Sequence, residues 1–538
     1  MEKIKKKETF VQGILALIFS QIVIKLLGLV YTLYLTNKDG FGDKGNGIVS
    51  AGYQIYAMLL TVSSIGVPSA ISKLISERRA IGDFKGAHRI FKIAFATFSV
   101  VGLIGSLILF IGAEMIASRW LKIPEASMTL VTLSPAIFFV AISSVMRGYF
   151  NGMSNVKATA RAQSVEQVFK TALTIIFVEI IAIASNVSTT FMAAGATLAT
   201  TVATFGGFGY LYLYYRTKAK EIHTENKKTT NYQYERVLSI IKKVLMVSIP
   251  ITLTAILSSI NKNIDSFTVV RNLKAFMPND EALAQYGILG GKVDMLIGLP
   301  LSINVAIVTV LVPTIASAKA KKDNNTIVGK TSFSILISIL FGLACTVGFA
   351  IFAQPILKLL FPNASEGASL LQISSFTIIF TMIVQTINAV LQGYNKLIEP
   401  VIAFGCGVVI KLILNLTLIP IESIGVHGAA IGSVACHIVA CVISIYYLKK
   451  NIKLKLPIFK FAVKPLISVC IMGICSYYAF LLLNSILGNN LAIILTIIFA
   501  VIIYVLAIIA LKLFTKDEIK SLPCGSKILK VLEKMKIY

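Results

Sequence analysis

The sequence predicts an all-α polytopic membrane protein of about fourteen transmembrane helices, arranged as two six-helix repeat lobes plus two C-terminal helices. Three observations carry this. Of 538 residues, 56% are hydrophobic and only 14% charged, with a mean hydropathy of +0.82; a soluble chain is about a quarter charged. Apolar stretches near the roughly 20 residues that a bilayer requires recur along the whole chain. Short motifs recur at one fixed spacing. The composition excludes a soluble enzyme, a disordered chain and a coiled coil.

The apolar segments fall near 9–36, 47–72, 90–114, 126–146, 158–184, 190–215, 238–262, 282–316, 331–353, 368–391, 400–420, 425–447, 462–484 and 491–511. The first is too long for a cleaved leader and no small-residue cleavage site follows it, so it reads as a span. Lysine and arginine set the orientation: 39 of the 51 lie in loops on one side, 7 on the other and the rest at membrane depth. The positive side faces the cytoplasm. An even number of spans puts both termini there, in a multi-pass membrane protein.

Met146-Arg147-Gly148-Tyr149 returns 245 residues later as Leu391-Gln392-Gly393-Tyr394, and Pro68-Ser-Ala-Ile-Ser72 returns at the same offset as Pro313-Thr-Ile-Ala-Ser317. Helices 1–6 and 7–12 therefore read as parallel copies, an N-terminal lobe (1–216) and a C-terminal lobe (238–448). A polar linker (217–237) joins them, and helices 13–14 (449–511) and a basic tail (512–538) follow. The tail reads as an amphipathic segment on the anionic inner leaflet. Parallel-repeat transporters place their substrate between the halves. Pro68 and Pro313 hold equivalent positions at the ends of helices 2 and 8. Proline removes a backbone donor, so both are candidate hinges.

The net charge of +27 invites a nucleic-acid partner. The basic residues nevertheless lie in short runs between apolar stretches, so no nucleic-acid site is expected. The seven cysteines form no CxxC pair and read as packed thiols. The four histidines are scattered, and no metal or cofactor is expected. No phosphate-binding G-x-x-x-x-G-K-[ST] loop is present, so the chain is read as a non-enzymatic carrier driven by something other than nucleotide hydrolysis.

Charges at membrane depth are costly unless they meet water or a partner. Here they are Lys25, Glu166, Lys170, Glu179, Lys262, Asp265, Lys292, Asp294 and Lys411. Gln21, Lys25, Gly28 and Thr32 share one stripe of helix 1. Thr254, Ser258, Lys262 and Asp265 repeat the stripe on helix 7, the repeat partner of helix 1. Lys25, Lys262, Lys292 and Arg147 are the substrate-binding candidates. An excess of lysine predicts an anionic substrate, and a diphosphate suits a compact ammonium. Glu166 and Lys170, one helical turn apart, read as a local ion pair. Asp265, flanked by Asn261 and Asn263, is either the partner of Lys262 or a cation or proton site.

Several motifs together resemble a known family. They are Lys25-Leu-Leu-Gly-Leu-Val-Tyr31, Gly66-Val-Pro-Ser-Ala-Ile-Ser-Lys-Leu-Ile-Ser-Glu77, Arg147-Gly-Tyr-Phe-Asn-Gly152, Leu311-Val-Pro-Thr-Ile-Ala-Ser317 and the tail from Phe514 to Pro523. This set resembles the stage V sporulation protein B and polysaccharide biosynthesis branch of the multidrug/oligosaccharidyl-lipid/polysaccharide exporter superfamily, which includes the lipid II flippases. The resemblance implies a flippase that moves an undecaprenyl-diphosphate-linked saccharide from inner to outer leaflet by alternating access. Lipid II of peptidoglycan synthesis is the first expectation, with roles in cell wall, cell shape or sporulation. A capsule, teichuronic acid or spore-envelope unit is the alternative, and a cation or drug antiporter a third reading. It further implies a monomer whose partners are the lipid-linked saccharide, membrane lipids and cell-wall synthases. Lys25 matches a cavity cation of those flippases, while Tyr31 and Thr32 stand where a second is expected. Lys292 lies near their helix-8 cation, out of clean register.

Overall fold

The computed structural model describes residues 23–24, 26–64, 66–153, 155–184, 188–230, 232, 234–320, 322–452, 454, 457–516 and 518. Every regular element among them is helical. In chain order these are α1 (Leu26–Asn37), α2 (Gly42–Ser64), α3 (Gly66–Ala80), α4 (Phe84–Met115), α5 (Ser127–Gly152), α6 (Val156–Ala184), α7 (Thr189–Lys227), α8 (Val237–Leu273) and α9 (Asn279–Gly287). Then come α10 (Asp294–Ala320), α11 (Asn324–Leu360), α12 (Ala368–Gly393), α13 (Ile398–Leu418), α14 (His427–Asn451) and α15 (Lys464–Ala510). Among the described residues, 11 helices are long and apolar enough to cross a membrane. One of these, Phe459–Ala510, breaks at Gly488 (φ 73°, ψ 168°) and serves as two spans. Its two arms match the predicted segments 462–484 and 491–511. With α1 and α8, the fourteen predicted segments all have a helix, and the protein is a multi-pass membrane protein.

The helices obey bilayer logic. On α4, Ala94, Phe98, Gly102 and Leu109 are buried, while Ile104, Leu107, Ile108 and Ile111 are bare. Water would penalise that bare face; lipid does not. Cys406 and Cys470 sit on such bare surfaces rather than in the packed interior the sequence suggests.

The chain forms two compact units. The first is Met1–Lys292 with Asn415–Gly425; the second is Val293–Leu414 with Val426–Tyr538. In the first unit, Val67, Ile71, Ile75, Phe91, Phe98, Val145, Tyr149 and Phe150 form a buried cluster, with the Phe91 and Tyr149 rings 4.3 Å apart. Helix α8 belongs to this unit: Thr61 Oγ1 lies 2.7 Å from Ser259 Oγ, and Asn263 Nδ2 donates to Gln54 O at 3.2 Å. In the second unit, Ile315, Ile335, Ile387, Val390, Leu391 and Leu448 cluster. The buried Asn304 there donates to Gln385 Oε1 (2.9 Å) and accepts from Ser338 Oγ (3.0 Å).

The repeat motifs make the same crossing in each unit. A Cβ on Gly148 of α5 would lie 2.9 Å from both Ile71 Cβ and Pro68 O of α3; one on Gly393 of α12 would lie 2.8 Å from Ile315 Cβ and Val312 O of α10. Such contacts need a glycine, so backbone approaches backbone at both places. Each unit also caps the following helix with an aspartate. Asp83 Oδ1 accepts from Gly86 N at 2.7 Å, and Asp323 Oδ1 from Thr326 N at 3.0 Å.

The polar stretch 217–237 is less of a loop than its composition suggests. Helix α7 continues to Lys227, and the segment beyond is tied to the α3–α4 turn. Arg79 grips Glu225 through both terminal nitrogens (2.7 and 3.2 Å), Arg78 pairs with Asp83 (3.0 Å) and with Glu235, and Arg89 stacks 4.2 Å from the Tyr234 ring. The tail from 519 onward lies outside the described residues.

Candidate functional site: charges at membrane depth

Lys25 and Gln21 lie outside the described residues, so the helix-1 stripe is seen only from Gly28 onward. There Thr32 is buried and donates to Gly28 O at 3.0 Å. Hydroxyl back-bonding of this kind satisfies a polar side chain within its own helix.

Arg147 comes from the last turns of α5 and Glu166 from α6. Arg147 Nη2 donates to Glu166 Oε2 at 2.6 Å, and both side chains are partly buried. This corrects the expected Glu166–Lys170 pair. A guanidinium on a neighbouring helix outcompetes the flexible lysine one turn away because its planar fork is preorganised for a carboxylate. Packing also holds the carboxylate in place, since a Cβ on Gly207 of α7 would lie only 3.0 Å from Glu166 Oε2. Lys170 makes no close ion pair with Glu166, although it still feels that charge; it hydrogen-bonds the Tyr31 side chain and faces two aromatic rings. Its Nζ stands 5.2 Å from the Tyr31 ring centre (α1) and 4.8 Å from that of Tyr53 (α2). No carboxylate pairs with it among the described residues.

On α8, Lys262 is exposed and makes no ion pair among the described residues. Asp265 therefore does not pair with Lys262. Its Oδ1 accepts from Asn415 Nδ2 at 2.9 Å, and the same nitrogen donates to Thr268 Oγ1 at 3.0 Å. Asn415 so offers Asp265 its amide nitrogen, while its own Oδ1 is buried without a hydrogen-bond partner.

Lys292 lies in a π-helical turn, Ile288–Val293, and is 0% exposed. Its Nζ meets Asp43 Oδ2, on the first turn of α2, at 2.7 Å. Two further ion pairs stand near this end of the first unit: Lys44 with Asp280 (2.8 Å) and Lys38 with Glu179 (2.6 Å). Of the hinge candidates, Pro68 lies inside the 38-residue span Gly42–Arg79. The helical backbone of α10 runs through position 313.

The structure thus brings Arg147 into a cluster with Glu166, Lys170, Tyr31 and Tyr53, and places Lys292 and Asp265 with separate partners. Sequence reasoning missed Asp43 and Tyr53, and named Tyr31 only as standing where a cation is expected. Their partners lie on other helices, where periodicity carries no signal. In the first unit Asp43 and Glu166 are each engaged in an ion pair, whereas Lys170 and Lys262 have none among the described residues. A lysine without a counter-charge in a low-dielectric setting attracts an anion.

Residues 10–319 match the family described as polysaccharide biosynthesis protein, and residues 241–501 match the lipid II flippase MurJ family. Among curated proteins of Bacillus subtilis (strain 168), stage V sporulation protein B is 24% identical over 525 residues, 96% of this chain and 98% of that one. Lipid II flippase MurJ is 26% identical over 486 residues, 86% of this chain and 87% of that one. The solved structure of lipid II flippase MurJ in an inward closed conformation superposes with a TM-score of 0.67 at 15% identity, covering 92% of this chain and 98% of that one. The two share a fold.

Proposed function

The chain belongs to the polysaccharide biosynthesis protein family, and on that premise we propose that it is a flippase for an undecaprenyl-diphosphate-linked saccharide, with the peptidoglycan precursor lipid II as first choice. It works in the bacterial cell membrane with both termini in the cytoplasm, alternating its access between the leaflets. The observation that carries the reading is the sign of the unspent charge. Lys170 and Lys262 have no ion pair among the described residues, while the carboxylates Asp43 and Glu166 are neutralised. Such lysines suit a diphosphate and oppose the cation that a drug antiporter carries. Lys25, Lys262, Lys292 and Arg147 are the proposed head-group contacts, with Lys25 on the helix-1 stripe the foremost. Cell-wall synthases that consume the product are the natural partners of such a carrier.

A second substrate has its own support. The likeness to stage V sporulation protein B runs along 96% of the chain, which favours a spore-envelope unit. Depleting the protein and identifying the precursor that accumulates separates the two. Build-up of lipid II supports the first reading, build-up of another lipid-linked saccharide the second, and build-up of neither overturns both. Complementation by Lys25→Ala at the wild-type level would remove Lys25 from the site.

A further inference from the structure

We propose that Lys170 and Arg147 form an oxyanion site, flanked by Tyr31 and Tyr53, where the diphosphate of a lipid carrier docks on the N-terminal lobe. The proposal rests on the flippase reading and names a contact that the lysine stripes of helices 1 and 7 do not contain.

The first argument is unmet bonding capacity. Lys170 Nζ stands 5.2 and 4.8 Å from two tyrosine ring centres. One of its N–H bonds is taken by the Tyr31 side chain; the ring faces attract the ammonium charge but leave donor capacity in the other two. Arg147 gives one terminal nitrogen to Glu166, while its Nε is buried with no hydrogen-bond partner. A buried donor left unmade is costly, and an arriving oxygen would satisfy it. The second argument is charge. Arg147 and Glu166 cancel, so Lys170 leaves the cluster one positive charge in excess. The third is chemical fit. A guanidinium fork beside a compact ammonium is a phosphate-binding combination, and the two phenols are further donors. Glu166 is the positioning residue: it anchors the guanidinium through one nitrogen and is itself confined by Gly207. The lipid-borne source is favoured because all five side chains project from apolar helices α1, α2, α5 and α6.

The test uses the full-length protein in nanodiscs, with undecaprenyl diphosphate as probe and inorganic pyrophosphate and phosphatidylglycerol as comparisons. Lys170→Gln should weaken undecaprenyl diphosphate binding about tenfold or more, the size expected for one lost charge-assisted hydrogen bond. Lys170→Arg should restore most of it. Glu166→Gln should leave binding equal or tighter, because it frees Arg147. If Lys170→Gln fails to fold, the double variant Arg147→Gln/Glu166→Gln, which removes the pair without stranding a charge, should show the same weakening. A folded Lys170→Gln, or the folded double variant in its place, that binds like wild type overturns the proposal. So does inorganic pyrophosphate or phosphatidylglycerol competing as well as the lipid diphosphate. Translocation by the wild-type protein is measured in parallel. Unchanged binding in Lys170→Gln while the wild type flips sinks only this site. A wild type that binds but flips nothing sinks the flippase reading and leaves the site standing.

Discussion

The Lys292–Asp43 pair offers a quantitative test of what a membrane-depth lysine is for. Lys292 is fully buried, the Asp43 side chain is 11% exposed, and their charged atoms are 2.7 Å apart. Removing one partner strands the other charge in a low-dielectric setting, at a cost of about 3–5 kcal/mol. Lys292→Met and Asp43→Asn should each lose stability of that order. The double variant should recover most of it, because replacing both members of a buried pair is often near neutral. The coupling energy from the cycle, the two single losses together less the small loss of the double variant, should therefore be about 6 kcal/mol or more. Denaturation in mixed micelles supplies the four stabilities. Single-variant losses below about 1 kcal/mol, the level of a surface pair, would refute the reasoning. The double variant then separates two roles. If Lys292 serves only to tie α2 to the π-helical turn, a stable double variant keeps transporting. Loss of transport in a stable double variant would make Lys292 a substrate contact.

Other perturbations follow from the same geometry. Gly148→Ala forces a Cβ to 2.9 Å from Pro68 O and Ile71 Cβ, and Gly393→Ala one to 2.8 Å from Val312 O and Ile315 Cβ; each should cost about 1–3 kcal/mol in thermal unfolding. Unequal effects would argue against equivalent crossings. Asp265 meets an amide nitrogen, so vesicle transport should persist when Na⁺ is replaced by K⁺ at constant potential. It should fall when an ionophore collapses the potential, since a charge crossing the field gains about 2.3 kcal/mol per 100 mV. Transport lost without Na⁺ and also lost in Asp265→Asn would instead make Asp265 the coupling site. Pro68→Ala with Pro313→Ala should slow transport more than it shifts the melting temperature; unchanged transport would remove both prolines as hinges.

The sequence was most readable where a local rule sufficed. Span positions follow from apolar run length, and the glycine crossings were visible as Gly148 and Gly393 in repeated motifs. Charge pairing was harder to read. The one-turn spacing of Glu166 and Lys170 suggested a bond that Arg147, from another helix, takes instead. Asp43 and Lys292 meet only because α2 packs on the chain around α9. Spacing along one helix says which groups share a face, not which helix will face them. The bent C-terminal span was legible as two apolar runs because Gly488 interrupts them, whereas the polar linker looked like a loop and is largely a continuation of α7.

The most direct measurement is translocation of a labelled undecaprenyl-diphosphate-linked saccharide in vesicles containing only this protein. A membrane-impermeant reagent that modifies the sugar would report which leaflet it occupies. The account predicts that wild-type protein exposes the protected pool, that Lys25→Ala and Lys170→Gln slow that exposure while remaining inserted, and that imposing a membrane potential speeds it. No exposure of any undecaprenyl-diphosphate-linked saccharide, or movement of an organic cation in its place, would contradict it.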